Sequence, residues 1–252
     1  MDQEMIREGI KANVRDINAR IVRAAQRASR DPAEVKLVAV TKTVDADRVR
    51  LAYDLGLRDF GENRVEEAEI KLPPLRERIE TYESDPPLWH LIGHLQSRKS
   101  ARALAHFDLI HSVDSTRLAQ RLSRQAGELG RIVPILLELN VSGEEAKYGF
   151  GAAQAPDDPA SAELLSCLDE IISLPNLDVR GLMTVAPLVE SPEQARPFFQ
   201  RLRAWRDSLA ERHADHPLPE LSMGMTDDFE IAVEEGATML RLGRAIFGPR
   251  TN

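Results

Sequence analysis

The chain has 252 residues, of which 33 are basic and 41 are acidic, giving a formal net charge of −8. An acidic chain lacks the basic surface that nucleic-acid binding requires, so we expect no nucleic-acid partner. No apolar run approaches the roughly 18 residues of a membrane span, and the charged first residues do not resemble a signal peptide. A single cysteine, Cys167, excludes an internal disulfide. We therefore expect a cytoplasmic protein with no membrane partner.

Lysine is scarce in this chain. Only six of the 33 basic residues are lysines, at positions 11, 36, 42, 71, 99 and 147. Arginine stays protonated in proteins, whereas a buried lysine can lose its proton and act as a nucleophile. A lysine at the end of a strand is therefore a candidate nucleophile, although codon bias is a sufficient explanation for most of the six.

The predicted elements alternate along the chain. The first thirty residues predict a helix, because apolar residues recur at helical spacing, at Ile6, Ile10, Val14, Ile17 and Ile21. Apolar or β-branched runs then predict eight strands, at 36–40, 58–61, 88–93, 109–114, 134–141, 179–186, 220–225 and 239–247. Amphipathic stretches between them predict helices, for example at 62–72, 115–129, 162–174, 192–212 and 227–235. The segment 151–160 predicts a loop.

Strict alternation of strands and helices indicates parallel strands. Eight units in about 250 residues fit a closed (β/α)8 TIM barrel with an extra N-terminal helix. No linker divides the chain, and we predict a single domain over residues 1–252. A doubly wound open sheet is the alternative, but it normally has a glycine-rich turn after the first strand. This chain has Thr41-Lys42-Thr43 there.

Lys42 is the candidate residue after the first predicted strand. Active sites of (β/α)8 barrels lie at the carboxyl ends of the strands. Lys42 shares side-chain parity with Val38 and Val40, so it points into the barrel mouth if those two residues point inward. Desolvation at that rim would favour the neutral amine that a Schiff-base lysine requires. A rim lysine paired with an acidic neighbour is the alternative interpretation.

The seventh and eighth predicted strands supply a second candidate site. The stretch LSMGMTDDFE predicts a strand, a glycine turn and a helix start, with Thr226 directly before Asp227 in a capping-box pattern. Helix N-termini bind anions, and barrels frequently bind phosphate after these two strands. Gly243 and Arg244 would add an accessible backbone and a cation. The alternative is that the aspartates only cap the helix.

Arg241 lies two residues before Gly243 and on the same face of the eighth predicted strand. An arginine inside an apolar run needs a partner, which can be a buried carboxylate, a ligand heterocycle or a phosphate. A rim lysine, a phosphate cradle and an inward arginine together describe a pocket for pyridoxal 5′-phosphate (PLP).

Seven stretches resemble the pyridoxal phosphate homeostasis protein family, in order from Leu37 to Gly248: VAVTKT, FGENRVEEAEIK, WHLIGHLQSRK, LIHSVDS, LMTVAP, LSMGMTDDFEIAVEEGATMLRLG and AIFG. The resemblance implies the barrel of alanine racemase (the type III PLP fold) without its second domain. It implies that Lys42 carries PLP as an internal aldimine and that Arg241 faces the pyridine nitrogen. The other cofactor-binding residues that it implies are Asn63, Ser222, Met223, Gly224, Thr226, Gly243 and Arg244.

The chain differs from the family pattern at four positions. Arg244 stands where the family usually has a hydroxyl residue, and Arg98 replaces a usual asparagine. Arg64 replaces a common aromatic residue, and Val44 stands where many relatives have a second lysine. These differences leave Lys42 unchanged, but they alter the expected contacts to the ligand.

Three other polar residues are candidates for a metal site or for the pocket. His90 and His94 stand four apart, but WHLIGH predicts a strand and a turn, so we expect hydrogen-bonded rim histidines rather than zinc ligands. Lys147 could approach the pocket mouth, but its acidic neighbours favour a solvated loop residue. The apolar residues of the helix at 192–212 indicate core packing.

We therefore expect a monomeric PLP-binding protein of vitamin B6 and amino-acid homeostasis, which holds, buffers or delivers PLP, with PLP-dependent apoenzymes as recipients. A PLP-dependent amino-acid racemase is the alternative, but racemisation with two bases needs a proton-transfer group opposite the lysine. In alanine racemases a tyrosine of the additional domain supplies it, and here only Tyr148 lies in a loop expected at the mouth. An arginine at the pyridine nitrogen would also weaken the electron sink. A third possibility, a cofactor-free sugar-phosphate isomerase, would bind no PLP.

Overall fold

The computed structural model describes residues 3–80 and 85–249. Its strands are β1 (Lys36–Val40), β2 (Asp59–Glu62), β3 (Leu88–Leu91), β4 (Leu109–Val113), β5 (Val133–Asn140), β6 (Phe150–Gly151), β7 (Leu177–Met183), β8 (Glu220–Ser222) and β9 (Met239–Leu242). Its α-helices are α1 (Gln3–Arg27), α2 (Ala46–Asp54), α3 (Val65–Glu80), α4 (Ser100–His106), α5 (Thr116–Glu128), α6 (Ala162–Ile172), α7 (Arg196–Arg212), α8 (Phe229–Glu234) and α9 (Arg244–Phe247).

Eight of the described strands form a closed parallel barrel, which confirms the predicted (β/α)8 architecture. The strands neighbour one another in the order β4-β3-β2-β1-β9-β8-β7-β5, and the pairing of β4 with β5 closes the ring. The short strand β6 lies outside the ring and pairs with the end of β5. Closure with parallel strands brings all eight carboxyl ends to one mouth of the barrel.

Several element boundaries differ from the predicted ones. The strands β3, β8 and β9 end at Leu91, Ser222 and Leu242, earlier than their apolar runs do. The runs continue because apolar residues are also buried beyond the strands, as in the four-residue helix α9. The helix predicted at 62–72 is α3, which starts at Val65 and continues through two prolines to Glu80.

Most of the apolar core lies between the barrel strands and the surrounding helices. The largest fully buried side chains there include Trp89, Trp205, Tyr53, Phe60, Phe199 and Phe229. On α7, Phe199, Leu202 and Trp205 are all completely buried. The predicted packing role of that helix is therefore confirmed.

The inside of the barrel contains a small apolar cluster and polar side chains next to it. The cluster consists of Val38, Leu109, Leu136, Met183 and Met239. Side chains two residues apart on a strand share a face. The residues two positions after Leu109, Leu136 and Met239 are His111, Glu138 and Arg241, all of which are buried. The barrel interior therefore becomes polar toward the carboxyl ends of the strands.

The helix α1 lies outside the repeating strand–helix pattern and packs against α8 and α9. Asn13 Nδ2 donates a hydrogen bond to the carbonyl oxygen of Ile246 at 2.9 Å, and Arg20 Nε donates to Glu230 Oε1 at 2.8 Å. This helix therefore braces the two short helices that follow β8 and β9. Within the described ranges, no helix combines the length and apolar character needed to cross a membrane.

We predict that Gly181→Ala destabilises the barrel by about 3 kcal/mol or more, as expected for a severe backbone clash. Gly181 has a φ of 153°, and an added Cβ would lie 1.9 Å from the carbonyl oxygen of its pairing partner Glu220. Urea unfolding measures the change. Gly9→Ala is the control, because nothing lies within 4 Å of an added Cβ on α1, and we expect a gain of about 1 kcal/mol. An unchanged unfolding midpoint for Gly181→Ala would contradict the strand pairing.

Candidate functional site

A cleft of about 750 Å³ opens at the carboxyl ends of the barrel strands. Its volume lies within the usual range of small-molecule sites. Among the lining side chains that the structure describes, four are cationic and one is acidic: Lys42, Arg48, Arg241 and Arg244, with Asp227. The excess of positive charge favours an anionic ligand.

The structure brings six of the nine predicted site residues to this cleft: Lys42, Asn63, Thr226, Arg241, Gly243 and Arg244. The other three, Ser222, Met223 and Gly224, are buried behind its wall. Gly224 makes the turn after β8 with a φ of 94°, where an added Cβ would lie 2.6 Å from Ala232 Cβ. Glycine is therefore required for the close approach of this turn to α8.

Lys42 lies in a turn that is held by a group of polar and charged residues, the Lys71 cluster, which consists of Thr41, Glu62, Glu67 and Lys71. Lys71 Nζ donates hydrogen bonds to Glu62 Oε1, to Glu67 Oε1 and to the carbonyl oxygen of Thr41, each at 2.8 Å. Thr41 Oγ1 donates to Glu62 Oε1 at 2.7 Å. The residue before Lys42 is therefore fixed through both its side chain and its backbone.

The residue after Lys42 is fixed by the same cluster. Thr43 has a φ of 63°, in the left-handed region that β-branched residues rarely adopt. Its N–H donates a hydrogen bond to Glu67 Oε1 at 2.7 Å. A residue in such a conformation costs on the order of 1–3 kcal/mol and persists where its surroundings fix it. The acidic residues of β2 and α3 therefore determine the backbone position of Lys42.

The two carboxyl groups of the Lys71 cluster differ in their surroundings. The side chain of Glu62 is completely buried, and burial raises its pKa even though Lys71 lowers it. For Glu67, burial also raises the pKa, but hydrogen bonds from Lys71 and the Thr43 backbone outweigh it, and the pKa is lowered. Glu67 is therefore the more firmly ionised partner of Lys71.

Arg241 projects from β9 into the wall of the cleft and is 5% exposed. Its Nη1 donates a hydrogen bond to Ser222 Oγ at 2.6 Å, and its Nη2 donates to the carbonyl oxygen of Thr184 at 2.7 Å. Burial lowers the pKa of Arg241 to about 10, although the carboxyl groups of Asp228 and Glu138 raise it. The guanidinium is therefore charged at neutral pH and held by two uncharged groups.

Glu138 lies inside the barrel on β5. Its Oε2 is buried and has no hydrogen-bond partner among the described residues. Burial and the nearby charge of Asp114 raise the pKa of Glu138 to about 7, although Arg241 lowers it. This carboxyl group therefore titrates near neutral pH.

The structure separates the two histidines that stand four apart. His94 lies after β3, where its Nδ1 is 2.9 Å from Asp114 Oδ2 and its ring stacks on Tyr148 with centroids 3.7 Å apart. His90 lies on β3 inside the barrel and is hydrogen-bonded to His111. The predicted rim position was therefore wrong for His90, because its parity on the strand turns the side chain inward. His94 is exposed beyond the strand, as a rim histidine should be.

Lys147 interacts as expected for its loop and also reaches the wall of the cleft. Its Nζ is 2.9 Å from Glu144 Oε1 and donates a hydrogen bond to the carbonyl oxygen of Val185 at 3.3 Å. Val185 itself lines the cleft. The ion pair agrees with the loop interpretation, but the side chain is only 22% exposed, and its contact with Val185 agrees with the alternative that Lys147 approaches the pocket mouth.

The four differences from the family pattern lie in different places. Arg244 lines the cleft, where its Nη2 contacts both carboxylate oxygens of Asp227, at 2.8 and 3.0 Å. Val44 also lines the cleft. Arg64 and Arg98 are exposed and do not line it. The substitutions that bear on a bound ligand are therefore those at positions 44 and 244.

The polar groups of the cleft fit PLP. Asn63 lines the cleft, and its buried Oδ1 has no hydrogen-bond partner among the described residues. Lys42 supplies an amine-bearing side chain for an aldehyde, and Arg241 supplies a charged donor for a ring nitrogen. Thr226 and Gly243 lie after β8 and β9, where barrels frequently bind phosphate.

Sequence reasoning missed the Lys71 cluster and Glu138. The scarcity of lysine pointed to Lys71 as much as to Lys42, and Glu67 lies four residues before it on the same helix. Glu138 is a single acidic residue inside the apolar run ILLELNV. A buried carboxyl group in such a run needs a reason. Both signals were available, but neither identifies a partner without the fold.

We predict that Lys71→Met destabilises the protein by about 3–5 kcal/mol, because it leaves Glu62 buried without its cationic partner. Adding Glu62→Gln to the same chain should restore most of the loss. Chemical unfolding of the two variants checks this. The matched control is Lys99→Met, whose ion pair with Glu66 is partly exposed, and we expect a change below about 1 kcal/mol. Equal losses for the two single lysine variants would contradict a structural role of the Lys71 cluster.

We predict that Glu138→Gln becomes more stable relative to wild type as the pH rises from 5 to 8. The folded protein holds the Glu138 proton up to a pKa of about 7, against the ordinary value of 4.5. The folded state therefore binds more protons than the unfolded state between these pH values, and wild type loses up to about 3 kcal/mol as the pH rises. Urea unfolding of both proteins at the two pH values measures the difference. A constant difference would contradict the raised pKa.

Comparison with known proteins places this chain within a family. The family model described as "Alanine racemase, N-terminal domain" matches residues 12–251. The pyridoxal phosphate homeostasis protein of Pseudomonas aeruginosa is 43% identical over 243 residues, covering 96% of each chain. The pyridoxal phosphate homeostasis protein of Aquifex aeolicus is 40% identical over 232 residues, covering 92% of this chain and 94% of that protein.

Solved structures agree with this assignment. A Bifidobacterium adolescentis structure, described as an unknown protein, superposes with a TM-score of 0.87 at 36% identity, covering 98% of this chain and 97% of that chain. PipY of Synechococcus elongatus PCC7942, with PLP bound, has a TM-score of 0.74 at 38% identity, covering 91% and 100%. Alanine racemase of Clostridium difficile 630 has a TM-score of 0.67 at 15% identity and shows the fold alone, with 97% of this chain matching 58% of that chain. The chain thus belongs to the pyridoxal phosphate homeostasis protein family, built on the barrel of the alanine racemase N-terminal domain.

Proposed function

We propose that this protein binds PLP and serves in PLP homeostasis, holding the cofactor covalently on Lys42 and buffering or delivering it. The observation that carries the proposal is the presence of Lys42 and Arg241 in one cationic cleft. The names of the relatives and the PLP-bound structure of PipY support it. Attachment joins Lys42 Nζ to the aldehyde carbon as an imine, with the loss of one water molecule.

The proposal assigns a role to each of the other predicted site residues. Arg241 faces the ring nitrogen, and the buried amide oxygen of Asn63 meets a donor of the ligand or a water molecule. Thr226, Gly243 and Arg244 hold the phosphate. Ser222 fixes Arg241 from behind. Met223 and Gly224 form the buried turn that carries Thr226.

Arg244 serves two partners in this proposal. Its guanidinium is paired with Asp227, and both side chains are largely exposed. An arginine can donate hydrogen bonds to a phosphate and to a carboxylate through different edges of its planar donor set. Asp227 would then orient Arg244 toward the phosphate, which the backbone of Gly243 and the Thr226 hydroxyl also contact.

The nature of the group at the ring nitrogen favours a carrier over a racemase. PLP supplies an electron-accepting ring when that ring is protonated. Arg241 is charged at neutral pH, with a pKa of about 10. A cation at the ring nitrogen disfavours ring protonation, and the ring is then a weaker electron sink. We infer a protein that holds PLP rather than turning over amino acids with it.

The racemase alternative also lacks a supported second base. Tyr148 stacks on His94 and does not line the cleft. The racemase structures share only 15% identity with this chain, so they carry no argument for activity. In our proposal the protein acts as a cytoplasmic monomer and passes PLP to PLP-dependent apoenzymes.

Borohydride reduction after incubation with PLP tests the attachment site. We expect one pyridoxyl adduct, on the peptide that contains Lys42, because that side chain lies in the cleft beside Arg241. Lys42→Ala should lose the adduct, and Lys147→Ala is the matched control that should retain it. Peptide mass mapping reads out the result.

Three results would count against this proposal. A colourless, unmodified protein would contradict PLP binding and favour the cofactor-free isomerase. Adducts spread over several surface lysines would contradict a dedicated site. Robust amino-acid racemisation that depends on Lys42 would overturn the carrier assignment in favour of the enzyme.

A further inference from the structure

We propose that Asp59, His90, His111 and Ser222 form a one-directional hydrogen-bond chain that holds Arg241 in the orientation needed to meet the ring nitrogen of PLP. The four are positioning residues that act through Arg241. The role of these residues in PLP binding rests on the proposed function. The series of hydrogen bonds itself is present in the protein without PLP. We call these five residues the Asp59–Arg241 chain.

The geometry is a continuous series of hydrogen bonds through the inside of the barrel. Arg241 Nη1 contacts Ser222 Oγ at 2.6 Å, and Ser222 Oγ lies 2.9 Å from His111 Nδ1. His111 Nε2 lies 2.9 Å from His90 Nδ1. His90 Nε2 lies 3.0 Å from Asp59 Oδ1. The series therefore links the wall of the cleft to the first residue of β2 through side chains on five strands.

The direction of every hydrogen bond in the series follows from the residues at its two ends, Asp59 and Arg241. An ionised Asp59 only accepts, so His90 carries its proton on Nε2. A neutral His90 then accepts at Nδ1, which requires a proton on His111 Nε2. The same argument makes His111 accept at Nδ1 from the Ser222 hydroxyl. Arg241, which only donates, completes the series at Ser222 Oγ.

The alternative arrangement leaves one hydrogen-bond donor without an acceptor in the series. A doubly protonated His90 would donate to His111, and His111 would then donate to Ser222. Ser222 would receive two donors, Arg241 and His111, and its own proton would have no acceptor in the chain. It would also place two cations, His90 and Arg241, in the same barrel interior.

The surroundings of His111 support the neutral arrangement. His111 is completely buried. Burial lowers its pKa well below 6.5, and the charges of His90, when protonated, and Arg241 lower it further. His111 is therefore neutral at physiological pH and can pass a hydrogen bond in only one direction at a time.

The Asp59–Arg241 chain fixes the orientation of the Arg241 guanidinium. The only negative charge in the series is at Asp59, and every proton in it points toward that charge. Aligned donors polarise one another, so each bond is strengthened by its neighbours. Arg241 Nη1 is thereby held on Ser222, while Nη2 is held on Thr184. Two fixed nitrogens define the plane of the guanidinium and the edge that it presents to the cleft.

Nitrogen-15 NMR of labelled histidine, recorded on the protein without added PLP, tests the chain directly. We expect His90 and His111 to be neutral at pH 7.5, each with its proton on Nε2, and we expect their N–H protons to exchange slowly with solvent. Substituting each histidine by Gln assigns the signals. A proton on Nδ1 of either ring, or a doubly protonated ring, overturns the proposed direction.

PLP binding and the absorption spectrum of bound PLP test the consequence. Ser222→Ala and His111→Phe should each weaken PLP binding by about tenfold, the range expected for the loss of a hydrogen bond to a charged group. Both variants should also shift the absorption maximum, because Arg241 is free to turn. Ser222→Thr retains a hydroxyl and should restore both properties. The matched control is His94→Gln, which removes a histidine–carboxylate pair outside the chain, and its binding should stay within about twofold of wild type.

The two experiments separate this inference from the proposed function. If borohydride mapping finds no adduct on Lys42 but both histidines carry Nε2 protons, the chain stands and the cofactor assignment fails. If PLP attaches to Lys42 with unchanged affinity and spectrum in Ser222→Ala, the positioning role is overturned and the assignment stands. If a variant fails to fold, Asp59→Asn takes its place. We expect Asp59→Asn to weaken PLP binding, and an unchanged affinity and spectrum would contradict the positioning role.

Discussion

The burial of the Arg241 charge is the constraint on which the barrel interior depends. Removing a cation from water is tolerated only where polar groups replace the water. The strands around Arg241 and the segments that follow them supply a hydroxyl at Ser222, a carbonyl at Thr184 and, at longer range, the carboxyl groups of Glu138 and Asp228. These polar positions occupy space that an apolar core would otherwise fill. The apolar packing is accordingly concentrated between the strands and the outer helices.

The two ends of the cleft are built by different means. Lys42 lies on a strained turn outside the strands, and acidic side chains of β2 and α3 hold that turn through Lys71. Arg241 lies on a strand, and its neighbours inside the barrel hold it. The first arrangement fixes the backbone of the turn, whereas the second fixes the side chain itself. In the proposed function, the covalent bond would form at the end where the backbone is fixed, and the ring nitrogen would lie at the end where the side chain is fixed.

How much the sequence could predict depends on the range of the interaction. The strand–helix alternation and the place of Lys42 follow from local pattern, because strand ends and side-chain parity are properties of neighbouring residues. The partner of His90 does not follow from it, since His111 is 21 residues away and meets it only after β3 and β4 pair. Lys71 is similar: its spacing from Glu67 is local, but its contact with Thr41 depends on how α3 packs. The position of His90 was also predicted wrongly from the local sequence, which placed it at the rim together with His94.

The brace made by α1 has a consequence for the order in which the cleft is completed. Its contacts with α9 and α8 join residues separated by 233 and 210 positions along the chain. Contacts between residues so far apart form late, because the intervening chain must first be ordered. During synthesis, Lys42 emerges long before Arg241 and before the helices that α1 covers. The nascent protein therefore carries Lys42 for most of translation without the opposite wall of the cleft, and the cleft is complete only when α1 packs against α8 and α9.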